Sequence, residues 1–122
     1  MKNVLDVGQC SLDHAAIRRL VEGHFDARVS QAHDAAQALA KLRGEAYDLV
    51  LVNRRLDGDG SDGLEIIRAL QADPRLAAVS VMLVTNYPQF QEQAVAAGAE
   101  PGFGKADLDE PQTLERLGKV LG

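Results

Sequence analysis

Short apolar runs alternate with longer amphipathic segments along this chain of 122 residues, and this alternation constrains its fold more than any other feature. The runs DLVLV and VMLV are continuously apolar, which is typical of strands covered on both faces of a parallel sheet. Strands that alternate with helices predict an α/β domain, doubly wound, with helices on both faces of that sheet. The predicted strands are NVLDV, ARVSQA, DLVLVN, VSVMLVT and PGFGK.

The segments between the strands carry apolar residues at intervals of three and four, which predicts five helices. These helices lie around residues 12–20, 35–42, 64–70, 90–97 and 114–121. Ser11 and Asp34 stand at N-cap positions, and Gly44 and Gly98 follow helical runs as C-terminal stops. Strand–helix units occupy residues 1–122, so we expect a single domain without an output domain.

Composition limits the partners that this chain can bind. It has 18 acidic and 13 basic residues, and a net charge of -5 opposes binding to nucleic acid or to anionic membranes. Cys10 is the only cysteine, so no internal disulfide can form. No segment has the pattern of a signal peptide or the length of a membrane span. We therefore expect a soluble cytoplasmic protein.

The residues that directly follow the predicted strands are the candidate site residues. In an open parallel sheet, ligands bind beyond the carboxyl ends of the strands. These ends carry Gly8, Gln9, Asn53, Thr85 and Lys105. Any chemistry of this fold should therefore depend on these five positions.

Four stretches place these residues in a recognisable pattern: YDLVLVN, SDGLEIIRAL, VMLVT and AVAAGAEPGFGK. Together they resemble the receiver domain of bacterial two-component response regulators, of the chemotaxis-regulator type, over essentially the whole chain. The resemblance implies a flavodoxin-like (βα)5 fold with five parallel strands in the order 2-1-3-4-5.

The resemblance also implies a role for each strand-end position. A working receiver holds Mg²⁺ with two adjacent acids after its first strand and is phosphorylated on an aspartate after its third strand. A hydroxyl after the fourth strand and a lysine after the fifth bind the phosphoryl group, and Thr85 and Lys105 match them. Gly8 and Gln9 replace the acid pair, and Asn53 replaces the aspartate.

These replacements predict a degenerate receiver. A carboxamide cannot form an acyl phosphate as a carboxylate can, and Mg²⁺ is held mainly by carboxylate oxygens. We therefore expect no enzymatic activity, no metal and no cofactor. Lys105, without its usual carboxylate, should hydrogen-bond Asn53 or nearby carbonyls, and aspartates at Gly8, Gln9 and Asn53 together should restore Mg²⁺ binding. Gly102 stands where the family carries an aromatic switch residue, so the usual output coupling is also in doubt.

Other readings of the same residues stay open. Asp57, Asp59 and Asp62 lie in a glycine-rich loop that suggests calcium, but Arg68 stands where an EF-hand requires its bidentate glutamate, and glycine with aspartate is ordinary turn chemistry. One loop aspartate could replace the phosphoacceptor. The vacated pocket could instead bind an anion or a small molecule.

Three further residue types have no assigned role in this pattern. Asp6 lies inside the first strand, either near a sheet end with water or a backbone donor, or as a displaced functional carboxylate. Cys10 is expected to be buried and inert, with a redox-sensitive thiol as the alternative. The three histidines share no metal-ligand spacing, so they are read as surface or capping residues.

The expected function is phosphorylation-independent signalling through protein contacts. By analogy with the family, the binding face consists of the fourth helix, fifth strand and fifth helix, around Gln89–Leu121. The same face could form a homodimer. The partner should be a signalling protein, with neither nucleic acid nor a membrane involved.

Overall fold

The computed structural model describes residues 1–122 and contains one parallel sheet with the strand order β2-β1-β3-β4-β5. The strands are β1 (Lys2–Val7), β2 (Ala27–Ala32), β3 (Leu49–Asn53), β4 (Ser80–Val84) and β5 (Glu100–Phe103). This topology confirms the predicted fold class. Each predicted strand exists, although β5 ends before Lys105, which begins a short 3-10 helix (Lys105–Asp107).

Five α-helices cover the two faces of the sheet. They are α1 (Ser11–His24), α2 (Ala35–Gly44), α3 (Gly63–Ala72), α4 (Pro88–Ala96) and α5 (Pro111–Leu121). Helices α1 and α5 pack on one face, and α2, α3 and α4 pack on the other. None of these helices combines the length and the apolar character that crossing a membrane requires.

Strand β3 contributes to the hydrophobic cores on both faces of the sheet. Val50 and Val52 belong to the core beneath α2, α3 and α4, whereas Leu49 and Leu51 belong to the core beneath α1 and α5. All four side chains are fully buried. Full burial of one such side chain stabilises the fold by about 1.5–3 kcal/mol, so the strand must be continuously apolar.

The helix N-termini agree only in part with the predicted caps. Asp34 caps α2 as predicted, since its side chain accepts a hydrogen bond from the Gln37 N–H. The assignment of Ser11 is wrong, because Cys10 holds the cap position of α1 without a side-chain hydrogen bond. Cys10 is also exposed rather than buried. Asp62 is a cap that the sequence reading missed, and it accepts a hydrogen bond from the Leu64 N–H.

Asp6 is buried in the sheet and pairs with a histidine of α1. Its side chain has no exposed surface, and its Oδ2 lies 2.7 Å from Nδ1 of His14. The predicted contact of Asp6 with water or with a backbone donor is therefore wrong. The prediction that His14 is a surface residue is also wrong, because its side chain is mostly buried. Burial raises the pKa of Asp6 to about 6, an effect that the contact with His14 only partly offsets.

Replacement of Asp6 by asparagine is therefore expected to remove a pH dependence of stability. The Asp6 carboxyl keeps its proton in the folded state up to about pH 6, whereas its ordinary pKa is 3.8. Folding consequently binds a proton between these values, and the free energy of unfolding falls as pH rises through this window. Relative to Asp6→Asn, the natural protein should lose on the order of 2–3 kcal/mol between pH 4 and pH 7.

Denaturant unfolding at several pH values measures this difference. Asp109→Asn is the matched control, because Asp109 is exposed and its replacement makes the same change of side chain away from the core. A constant difference in unfolding free energy between Asp6→Asn and the natural protein from pH 4 to pH 7 would contradict the prediction.

Candidate functional site

A cavity of about 440 Å³ opens at the carboxyl end of the sheet, where the sequence predicted the site. It brings together Asn53 from the end of β3, Thr85 directly after β4 and Lys105 after β5. The other lining residues are Arg54, Arg55, Val84, Asn86, Tyr87 and Phe90. Gly8 and Gln9 do not line this cavity, although the Gly8 carbonyl contacts Asn53.

Both protons of the Asn53 amide are used in hydrogen bonds. Nδ2 donates to the carbonyl of Gly8 at 3.0 Å and to the carbonyl of Arg55 at 2.7 Å. Its Oδ1 accepts from the Arg54 N–H at 3.1 Å. Asn53 therefore joins the turn after β1 to the start of the loop after β3, which requires a side chain that donates as well as accepts.

Lys105 pairs with an acid of α1 instead of with Asn53. Its Nζ lies 2.9 Å from Oδ2 of Asp13, and this contact is the main reason that the pKa of Asp13 is lowered. The predicted hydrogen bond between Lys105 and Asn53 is not formed. The lysine instead forms an ion pair with a carboxylate of α1, which the sequence did not suggest as its partner.

The turn after β1 leaves no room for an acid at its first position. Gly8 has a φ of 80°, and a Cβ there would lie 2.5 Å from Cδ2 and 2.9 Å from Cα of Leu56. Gln9, in turn, is fully buried. Gly8, Gln9 and Asn53 therefore do not fit Mg²⁺, which needs accessible charged oxygens. Aspartates at these three positions alone are not expected to rebuild a metal site, because Leu56 would also have to move.

The three loop acids point to three different partners. Asp57 lies 3.0 Å from Nδ1 of His33, and Asp59 accepts hydrogen bonds from Ser61, which lower the pKa of Asp59. Asp62 caps α3. Each acid stabilises the loop locally, and the three do not converge on one point that could hold a cation.

Two aromatic residues and Arg54 form the outer wall of the cavity. The guanidinium of Arg54 lies 4.2 Å from the ring centroid of Phe90, and Phe90 packs edge to face against Tyr87. Nη1 of Arg54 is also 3.6 Å from Oδ1 of Asp62. Arginines directly after a strand end indicate side chains that could fold over the site, but the aromatic partner on α4 cannot be identified from the sequence. Three cationic side chains and no carboxylate line the cavity, so it favours anions electrostatically.

The Thr85 hydroxyl is available to donate into this cavity. Its Oγ1 accepts a hydrogen bond from the Tyr87 N–H at 3.3 Å, which leaves the hydroxyl proton free. Thr85, which directly follows β4, is otherwise buried. The cavity can therefore offer neutral and cationic donors, but it presents no carboxylate nucleophile.

The substitution Asn53→Asp is expected to destabilise the protein at neutral pH. A carboxylate oxygen in place of Nδ2 would face the carbonyls of Gly8 and Arg55, both of which would lose their donor. The expected loss is about 1–3 kcal/mol in the free energy of unfolding. The two carbonyl oxygens would be in direct contact with the new carboxyl, whereas the side chains of the three cations make no hydrogen bond to residue 53. The repulsion should therefore outweigh their attraction and raise the pKa of the new carboxyl, so the loss should be smaller at pH 4 than at pH 7.

Asn86→Asp provides a matched control within the same cavity. The Asn86 side chain accepts a hydrogen bond from the Ala106 N–H through Oδ1, which an aspartate preserves. Thermal unfolding of both variants at the two pH values tests the difference. An Asn53→Asp protein as stable as the natural one at pH 7 would show that the two donated hydrogen bonds contribute nothing.

Comparison with known proteins agrees with this fold. A family model for the response regulator receiver domain matches residues 11–115. The chain is 26% identical over 115 residues to a gliding motility regulatory protein of Myxococcus xanthus, covering 87% of this chain. It spans only 14% of the length of that relative.

Solved structures of similar proteins cover nearly the whole chain. A response regulator from Thermotoga maritima has a TM-score of 0.79 and 25% identity, covering 98% of this chain and 97% of that one. The Vibrio cholerae chemotaxis protein CheY4 has a TM-score of 0.78 and 21% identity, covering 99% of both chains. With the family model matched over most of its length, the chain belongs to the response regulator receiver domain family.

Proposed function

We propose that this chain is a degenerate receiver, a pseudo-receiver that signals through protein contacts without aspartyl phosphorylation. The observation that carries the proposal is the state of Asn53, whose amide protons are both donated to backbone carbonyls. An acceptor of a phosphoryl group must present a free carboxylate oxygen. Asn53 presents neither the atom nor the charge.

The surroundings of Asn53 support the same proposal. Phosphoryl transfer depends on a bound cation and on positioned charges around the transferred group. Gly8 and Gln9 supply no carboxylate for a cation, and Lys105 is held by Asp13. The attacking carboxylate and the ligands for a cation are therefore absent from their positions, and the lysine is paired with another acid.

The proposed partner surface is the face formed by α4, β5 and α5. A depression of about 420 Å³ on this face is lined by Gln91, Glu92, Val95, Ala96, Pro101 and Arg116. Val95 is 44% exposed there. An exposed apolar centre with polar residues around it is typical of a protein contact. The partner that we propose is a signalling protein or a second copy of this chain. We propose that the contact forms in the cytoplasm.

Incubation with acetyl phosphate and Mg²⁺ should leave the mass of the intact protein unchanged. The reason is that residues 8, 9 and 53 provide neither a nucleophile nor metal ligands. A receiver domain with its aspartate and acid pair, treated in parallel, is the control that must gain one phosphoryl group.

A stoichiometric phosphoryl adduct on this chain would refute the proposal. Repeating the reaction with Asp57→Asn and with Asp59→Asn would then show whether a loop aspartate accepts the group. Both side chains are exposed, so either substitution should leave the fold intact.

A second function, the sensing of an anion, is favoured by the charge of the cavity. Arg54, Arg55 and Lys105 line it without a carboxylate, and the Thr85 hydroxyl can donate into it. This function predicts that inorganic phosphate raises the melting temperature, because a ligand that binds only the folded state stabilises it. Sodium chloride at the same ionic strength should not do so.

The variant Thr85→Val tests where the anion binds. It removes one donor from the cavity and should weaken the effect of phosphate without removing any cation. A melting temperature that does not depend on phosphate would exclude this second function and would leave the proposal of a protein-binding module unchanged.

A further inference from the structure

We propose that Gln91 is a positioning residue that locks the face of α4, β5 and α5 in a single arrangement. The inference rests on the proposed function, because it concerns the surface assigned there to the partner. It adds that this surface is preformed and that one partly buried amide, rather than an event in the cavity, determines its shape.

The Gln91 side chain connects a helix to two adjacent strands. From α4, its Nε2 donates to the carbonyl of Leu83 in β4 at 2.9 Å, and its Oε1 accepts from the Gly102 N–H in β5 at 3.0 Å. The same Nε2 lies 3.4 Å from the carbonyl of Thr85 and 3.5 Å from that of Phe103. One amide therefore donates to a carbonyl of β4 and accepts from an N–H group of β5.

This bridge lies at an irregularity of the sheet. Met82 pairs with Glu100 and Val84 pairs with Phe103, so β5 advances three residues while β4 advances two. An extra residue in one strand disrupts the regular ladder and leaves backbone groups that need other partners. Gln91 supplies both a donor and an acceptor at this point.

Gly102 makes the close approach of these groups possible. A Cβ at this position would lie 2.2 Å from the Leu83 carbonyl oxygen, which is too close for any side chain. It would also lie 3.1 Å from Oε1 of Gln91. On the other side, Nη1 of Arg116 in α5 donates to the Gly102 carbonyl. Strand β5 is thus held from both α4 and α5 at a residue that has no side chain to move.

The lock also separates the cavity from the partner surface. Because Gln91 contacts the carbonyls of Thr85 and Phe103, a shift of β4 relative to β5 would break several hydrogen bonds at once. The bridge therefore opposes any change at Thr85 that would move β4 relative to β5.

Hydrogen exchange of the Gly102 amide, followed by NMR on the full chain, tests the lock. In Gln91→Ala this amide should exchange on the order of tenfold faster, because its only side-chain acceptor is lost. Gln91→Met keeps the length of the side chain without its hydrogen bonds and should give the same result. Gln93→Ala, an exposed position on the same helix, should leave the Gly102 amide unchanged.

Gln91→Glu separates the hydrogen bonds from mere filling of space. A carboxylate cannot donate to the Leu83 carbonyl and would be repelled by it, so the side chain should move away and leave the Gly102 N–H without its acceptor. A protonated carboxyl can donate to the Leu83 carbonyl and accept from the Gly102 N–H. Relative to the natural protein at each pH, exchange at Gly102 should be faster at pH 7 and restored toward normal at pH 4. A purely structural role for side-chain volume would give no such dependence.

The outcomes distinguish this inference from the proposed function. Unchanged exchange at Gly102 in both Gln91→Ala and Gln91→Met would overturn the lock, even if the chain takes up no phosphoryl group. Faster exchange in these variants would support it, even if acetyl phosphate modified the natural protein and so refuted the absence of phosphorylation. If Gln91→Ala does not fold, Gln91→Met and Gln91→Glu provide the same comparison.

Discussion

The structure depends on the burial of β3 on both faces, since it is the central strand of the sheet and belongs to both hydrophobic cores. Four consecutive apolar side chains, Leu49–Val52, are fully buried between the two helix layers. Asn53 is the first residue to leave this double core, so its place at the rim of the cavity follows from the burial of the strand before it. The burial of β3 therefore determines where residue 53 lies, whereas the asparagine side chain determines what chemistry is possible there.

An amide at this position changes which groups the neighbouring charges contact. Two carboxylates about 4 Å apart repel by roughly 4 kcal/mol at an effective dielectric constant of 20, and Asn53 contributes no such strain. Lys105 turns to Asp13, and Arg54 lies over the ring of Phe90. The cavity consequently keeps its cations and its hydroxyl, while the Asn53 amide is satisfied by backbone groups and Nε of Arg54 has no hydrogen-bond partner.

The sequence was sufficient for the fold and for the place of Asn53, Thr85 and Lys105 around one cavity, because both follow from where the apolar strands end. It was insufficient for contacts that depend on how turns aim side chains. The pairing of Asp6 with His14 requires the turn at Gly8 to bring α1 back over β1, and the link between Lys105 and Asp13 joins opposite ends of the chain. The bridge formed by Gln91 depends on an extra residue in β5, which the pattern of apolar residues does not predict.

These contacts together show how α1 is attached in the absence of an acid pair after β1. Two consecutive residues of its first turns, Asp13 and His14, pair with Lys105 and with Asp6 respectively. One contact ties the helix to the segment after β5, and the other ties it to the buried interior of β1. Asp6, which lies inside the strand instead of after it, does not line the cavity, and its contact with His14 holds α1 on the sheet. The same kinds of side chain that hold an ion and a phosphoryl group in a working receiver here hold a helix.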